Sequence, residues 1–302
     1  MSHNPLPITN IGDPYILKDG GRYYLYATSL PDGFYVWQSD DLVNWSAPSV
    51  CYRRQPQSFG SRDFWAPEVY RFGDEYRMYY TAQWKKFEDE ELRIGLAVAA
   101  SPLGPFEEVS GEPLFDPGYG VLDAHVFTDD DGKRYLYYSR AGHNHFVDGA
   151  QESDIYVAPL SGDGRSLAGE GVCILRPDQE WERRDGMNQY WNEGPFVLKH
   201  EGKYHLMYSA NFFAGKHYGV GCAVSDSPMG PFVKYPENPI LAATAEVSGP
   251  GHNSVVEGPD GGLLCVYHAH TDPMRPSGNR QLYIDPLRFE NGRIRILGPT
   301  RR

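Results

Sequence analysis

Five polar side chains stand at the fronts of five similar segments: Asp13, Glu68, Asp123, Glu193 and His252. Four are carboxylic acids. Carboxylates gathered in one cleft raise one another's pKa, and burial adds to the rise. One member can then stay protonated as an acid while another stays ionised as a base. Two such carboxyls on either side of a glycosidic bond are the least that its hydrolysis requires. Alone, Asp13 beside Pro14 reads as a turn residue that launches a strand. What could bring it to the other four has to be sought in the elements behind them.

The segments read GDPYILKDGGRYYLYATS, APEVYRFGDEYRMYYTA, LDAHVFTDDDGKRYLYYS, NEGPFVLKHEGKYHLMYS and GHNSVVEGPDGGLLCVYHA. Each runs from a polar start through a short apolar stretch and a Gly- or Asp-containing turn into an aromatic-rich strand. That is a hairpin signature. A further strand-like element follows each hairpin, and two of these share the pattern SPxGPF, at 101–106 and 227–232. A unit of about four antiparallel strands repeated five times predicts an all-β, five-bladed β-propeller. No linker divides residues 1–302, which read as a single propeller domain. The innermost strands of a propeller all begin at one end of its axis. The five leading residues would therefore ring one opening of the central channel.

GDPYI at 12–16, LDAHVFTDDDG at 122–132 and NEGPFVLKHEGKYHLMYS at 192–209 resemble the three characteristic blocks of glycoside hydrolase family 43. WAPEV at 65–69, GPGHNSVV at 249–256 and RQLYIDPLRF at 280–289 fit as well, so the resemblance runs from about residue 10 to residue 297. It implies a five-bladed propeller of inverting glycosidases. By resemblance Asp13 is the general base and Glu193 the general acid. Asp123 raises the pKa of the acid and orients it. Inversion calls for about 6.5–9.5 Å between base and acid carboxyls, leaving room for water. The middle block more often reads Asp-Pro where this chain has Asp123-Ala124, a departure that leaves the carboxylate in place. Glu68 is expected to touch substrate or line the pocket, or else to be a structural hydrogen-bonding partner; Arg280 is expected to reach the acid or the sugar, or else to make a structural ion pair. His252 is expected in the central channel, holding a cation or ordered water. One imidazole with waters would make a weak site of the calcium type.

Sugar subsites need flat apolar faces with polar edges. Phe34, Phe64, Trp65, Trp84 and Trp191 are the candidates, Trp191 foremost because it lies two residues before Glu193. Trp37 and Trp45 read as core. His268 and His270 alternate by two and suit strand packing or substrate contact. His143 and His145 fall in a loop and suit the rim or solvent. Asp129 to Gly132 read as a hairpin turn.

A net charge of −12 with a pI near 5.3 argues against nucleic acid and anionic membranes, leaving a small neutral oligosaccharide as partner. Cys51, Cys173, Cys222 and Cys265 form no metal-binding or redox pair, and free thiols suit a reducing compartment. With no basic-then-apolar start to the sequence, the expectation is cytoplasmic. Proton transfer between carboxyls requires no cofactor. Segments 84–91, 141–153 and 176–190 are expected to wall the channel mouth into a pocket. A pocket favours exo-release of α-L-arabinofuranosyl or β-D-xylosyl units from plant cell-wall oligosaccharides. An open groove would favour endo-arabinanase action, and galactan or galactofuranoside substrates remain within the family. A retaining fructan hydrolase is disfavoured because its NDPNG and RDP blocks are missing. A non-catalytic sugar-binding propeller would not need the three carboxylates.

Overall fold

The computed structural model describes residues 4–89, 91–184 and 186–301. Five four-stranded antiparallel blades follow one another along the chain. Their innermost strands are Gly12–Asp19, Gly60–Phe72, Val121–Thr128, Gln189–His200 and Gly251–Glu257. These strands neighbour one another in a closed ring around the axis. Each pairs with the next strand as the hairpin signature requires, for example Leu17 with Tyr24 and Leu198 with His205. Blades 3 and 4 are also joined directly. Gln151, Glu152 and Ser153 pair in parallel with Gln189, Tyr190 and Trp191.

Blades stack face to face, so most strands are apolar on both sides rather than on one. Ile16, Leu25 and Trp37 of blade 1 pack against Val256, Val266 and Leu282 of blade 5. Ile94 and Leu96 of blade 2 meet Val121, Val126 and Leu136 of blade 3. Ile155 and Val157 of blade 3 meet Val197 and Leu206 of blade 4. The expectation for Trp37 holds, since it is buried in the first of these layers. The ring is closed by the start of the chain. Leu6 N donates to Leu282 O, Leu282 N to Ile8 O, and the Asn4 side chain brackets Ile284 through both its amide atoms. The first blade is thereby tied to the last.

This stacking corrects three of the aromatic expectations. Phe34 is wholly buried against Tyr52, Phe64 and Tyr80. Phe64 is buried in the same cluster, touching only a shallow side depression. Trp84 lies between Phe87 and the Arg93 guanidinium, away from the channel mouth. Large aromatic faces fill the gap between blades 1 and 2, where Phe34 and Phe64 are used, whereas Trp84 is covered within its own blade.

Candidate active site

Every innermost strand carries the same local irregularity. Asp13, Ala66, Asp123, Gly194 and His252 all have positive φ, from 45° to 58°, where the pairing register shifts. For a residue with a Cβ this conformation is costly, so something must hold it. The holder is the preceding blade. Ala66 N donates to Thr28 Oγ1 at 2.8 Å, Asp123 N to Thr81 Oγ1 at 3.0 Å, and His252 N to Ser209 Oγ at 2.7 Å. Asp13 N donates to His268 Nδ1 at 3.0 Å. At the remaining joint, Gly194 N donates to Asp123 Oδ2 at 3.1 Å, and Ser139 approaches that same oxygen at 3.5 Å. Five bulges and five latches thus build the mouth of the channel.

The bulges revise the ring of leading residues. Asp13, Asp123 and His252 occupy equivalent positions. Glu193 stands one residue earlier, equivalent to Gly12, Trp65, Leu122 and Gly251, each paired with its own blade's latch residue. Glu68 stands two residues after its bulge and drops below the mouth. There it bonds the Tyr70 hydroxyl and lies 3.0 Å from His125 Nδ1. His125 Nε2 accepts from Val197 N, so the imidazole proton sits on Nδ1 and points to Glu68. Of the two expectations for Glu68, the substrate contact gives way to the structural hydrogen-bonding partner, placed in the channel beside a cavity of about 10 Å³ with room for one water.

Above it opens a cavity of about 480 Å³ lined by Asp13, Asp123, Glu193, His252 and Arg280, with Trp65, Leu122, Gln189, Trp191, Phe213 and Tyr218. Two of the five aromatic candidates, Trp65 and Trp191, are on its wall. Segment 141–153 contributes Ala141, Gly142, His143, Gln151 and Ser153, whereas segment 176–190 contributes Gln189. Among the described residues of 84–91 none lines it. His145 of the same loop is turned away from the rim and bonds Asp154 at 2.9 Å.

The three carboxyls have opposite electrostatic surroundings. Burial by itself would push Asp13 upward. His252 and the Arg280 guanidinium outweigh it, aided by the Thr28 hydroxyl, and hold Asp13 well below the usual carboxylate range. Arg280 Nη1 lies 3.1 Å from Asp13 Oδ1, His252 Nδ1 lies 3.3 Å from it, and Thr28 Oγ1 donates to Oδ2 at 2.5 Å. His268 is itself buried neutral, far below its ordinary value, with Arg280 adding to the effect. It therefore acts on Asp13 through the amide and not through charge. Asp123 is pushed up to about 7 by burial, with Glu193 and Asp13 adding and His252 opposing. Glu193 is pushed up to about 7 by burial and by Asp13, against the Tyr218 hydroxyl, which donates to Oε1 at 2.8 Å. One carboxyl is thus ionised and two share protonation near neutrality, as a base opposite an acid would require.

Arg280 and Tyr218 reach these positions because Gly12 and Gly251 leave room. A Cβ on Gly12 would collide with the Arg280 guanidinium, and one on Gly251 with the Tyr218 ring. Arg280 also stacks on Phe213, its guanidinium 4.9 Å from the ring centre, and Tyr218 stacks parallel to His268. Tyr218, Leu122 and Phe213 were not singled out by sequence reasoning. The recurring ends of the second strands, at Thr28, Thr81, Ser139, Ser209 and His268, were the signal that could have shown His268 to be a latch. His252 lines both the mouth and the small channel cavity. It offers one imidazole, and the Asp13 carboxylate already faces its Nδ1. Among the described residues the one three-ligand group lies elsewhere, at His145, Glu152 and Asp154.

A model described as glycosyl hydrolases family 43 matches residues 2–294. A β-D-galactofuranosidase of Aspergillus niger is 30% identical over 93% of this chain and 81% of its own length. An extracellular exo-α-(1→5)-L-arabinofuranosidase of Streptomyces chartreusis is 30% identical over 88% of this chain and 81% of its own. Among solved structures, a thermostable family-43 glycoside hydrolase superposes with a TM-score of 0.95 at 45% identity, covering 100% of this chain and 97% of that one.

Proposed function

The chain belongs to glycosyl hydrolase family 43, and on that premise we propose that it is an inverting exo-enzyme. The proposed substrates are plant cell-wall oligosaccharides, from which it releases terminal α-L-arabinofuranosyl or β-D-xylosyl units. Asp13, kept ionised by Arg280 and His252, takes a proton from the attacking water. Glu193, kept protonated by burial, gives its proton to the departing glycosidic oxygen. Asp123 shares protonation with Glu193, and by bonding Gly194 N it fixes the backbone that carries the acid. Water attacks the anomeric carbon as the leaving oxygen departs, so the product carries the opposite anomeric configuration.

The observation that carries this reading is the split in the carboxyl environments within one cavity. The walls from segment 141–153 and from Gln189 favour a pocket that admits a chain end. Trp65 and Trp191 offer ring faces for the C–H surfaces of a sugar, and Arg280 offers donors for its hydroxyls. A second reading, a galactofuranosidase, is favoured by the name of the Aspergillus relative.

The deciding experiment is a panel of aryl α-L-arabinofuranosides, β-D-xylosides and β-D-galactofuranosides, with proton NMR of the first-formed anomer. The reading expects turnover of an arabinofuranoside or xyloside with inverted product. Turnover confined to galactofuranosides would replace the substrate. A retained anomer would overturn the mechanism.

A further inference from the structure

Behind the wall of the mouth cavity lies a second cluster of chemically capable side chains. Along the strand Ala150–Leu160, Gln151 and Ser153 face the cavity. By the alternation of a strand, Glu152 and Asp154 face the other way. His145, from the loop just before, reaches the same place. One ligand atom from each of the three lies within 4.8 Å of the others. The site is withdrawn from solvent: the Asp154 side chain is 0% exposed and that of His145 12%.

The cluster is incompletely satisfied. Asp154 Oδ2 is engaged by His145 Nε2, but its other oxygen, Oδ1, is buried with no hydrogen-bond partner. The cation opposite it in the sheet does not pair with it. Arg140 is directly opposite Asp154 in register, yet its guanidinium lies over the Tyr119 ring, 4.5 Å from the centre.

We propose that His145, Glu152 and Asp154 form a binding site for a divalent cation of the zinc type, separate from the catalytic mouth. One imidazole nitrogen with two carboxylate oxygens is a borderline donor set. It suits a small four-coordinate ion with water as the fourth ligand better than calcium, which takes six to eight oxygens. Binding exchanges the His145–Asp154 hydrogen bond for coordination and gives the buried oxygen a partner. The neutral imidazole then keeps its proton on the nitrogen not used. The ion would tie the loop carrying His143 to the strand that pairs in parallel with Gln189–Trp191. It would thereby brace the wall on which Trp191 sits.

The test is calorimetric titration of the chelator-stripped full chain with Zn²⁺, together with its thermal midpoint. The expected result is one site per chain and a raised midpoint. His145→Ala, a loop change that leaves the blade core intact, and Glu152→Gln should each weaken binding by roughly tenfold or more. His252→Ala should leave the site in place. X-ray absorption of the loaded protein should show one imidazole nitrogen among oxygen ligands. No uptake by the stripped protein would overturn the proposal. So would uptake unchanged in folded His145→Ala and Glu152→Gln, or uptake lost in His252→Ala, which would place the ion in the channel.

Discussion

The two sides of the mouth cavity use the same kind of group in opposite ways. On one side Asp13 is surrounded by Arg280, His252 and a donating hydroxyl. On the other, Asp123 and Glu193 face each other with one tyrosine and backbone and serine donors, and among the described residues no cation is bonded to either carboxyl. All three are withdrawn from solvent, so burial raises all three, and only the local charges distinguish them. The difference teaches that role is set by what the neighbouring blade supplies. Blade 5 brings His252, His268 and Arg280 to blade 1, whereas blade 4 brings Gly194 and Glu193 to blade 3.

The largest test of that contrast removes each carboxyl in turn. Asp13→Asn and Glu193→Gln should each lower kcat by about 10²–10⁴ on unactivated substrates, as expected for loss of a proton-transfer group. The two should part company on an aryl glycoside with a very acidic leaving group. Such a group departs without protonation, so Glu193→Gln should recover most of its activity and Asp13→Asn should not. Steady-state kinetics on a leaving-group series measures this. Equal recovery in both variants would erase the proposed division of labour.

A smaller effect should follow from disturbing the cationic side alone. Arg280→Gln removes the cation nearest Asp13. The carboxylate then takes up a proton at higher pH, so the acidic limb of kcat/KM should move upward, with the alkaline limb much less affected. A pH–rate profile reads the shift directly. The same variant should lose some sugar binding, visible as a raised KM.

The smallest effect should be one of stability. Glu193 is pushed up to about 7 from an ordinary 4.5. Between those values the unfolded chain binds fewer protons than the folded one, so folding stability falls as pH rises through this window. Glu193→Gln removes that loss. Its thermal midpoint should exceed that of the unaltered chain by roughly 2–4 °C at pH 8. The two should match near pH 3, well below both values, where the acid is neutral in both states. A midpoint gain that is the same at both pH values would have to come from packing.

Much of this was legible in the sequence, and what was hidden has a common cause. Asp13 and Asp123 could be read because their carboxylates coincide with the repeated bulge. Glu193 could be read from its block, although its position in the repeat is one residue earlier. Glu68 could not be placed, because a bulge changes the count of residues between strand start and channel without leaving a mark in composition. Phe34, Phe64 and Trp84 look like sugar platforms in a linear reading. Only the folded chain shows that their faces are already covered, those of Phe34 and Phe64 between blades and that of Trp84 within its own. Tyr218 enters from just before the third strand of its blade, and the space it occupies is legible only as a glycine at position 251. His268 was visible as one of an alternating pair. Its role depended on seeing that Thr28, Thr81, Ser139 and Ser209 occupy the same place.

The central claim is that Asp13 and Glu193 titrate far apart, in opposite directions from the ordinary carboxylate range. Carbon-13 NMR of protein labelled at the side-chain carboxyls of Asp and Glu, titrated across the pH range of the fold, measures this most directly. The account predicts one Glu resonance titrating near 7 that vanishes in Glu193→Gln, with an Asp resonance moving alongside it as the coupled partner. It also predicts that the resonance lost in Asp13→Asn stays at its ionised position to the lowest pH the fold survives. Ordinary titration of both groups near 4 would contradict it.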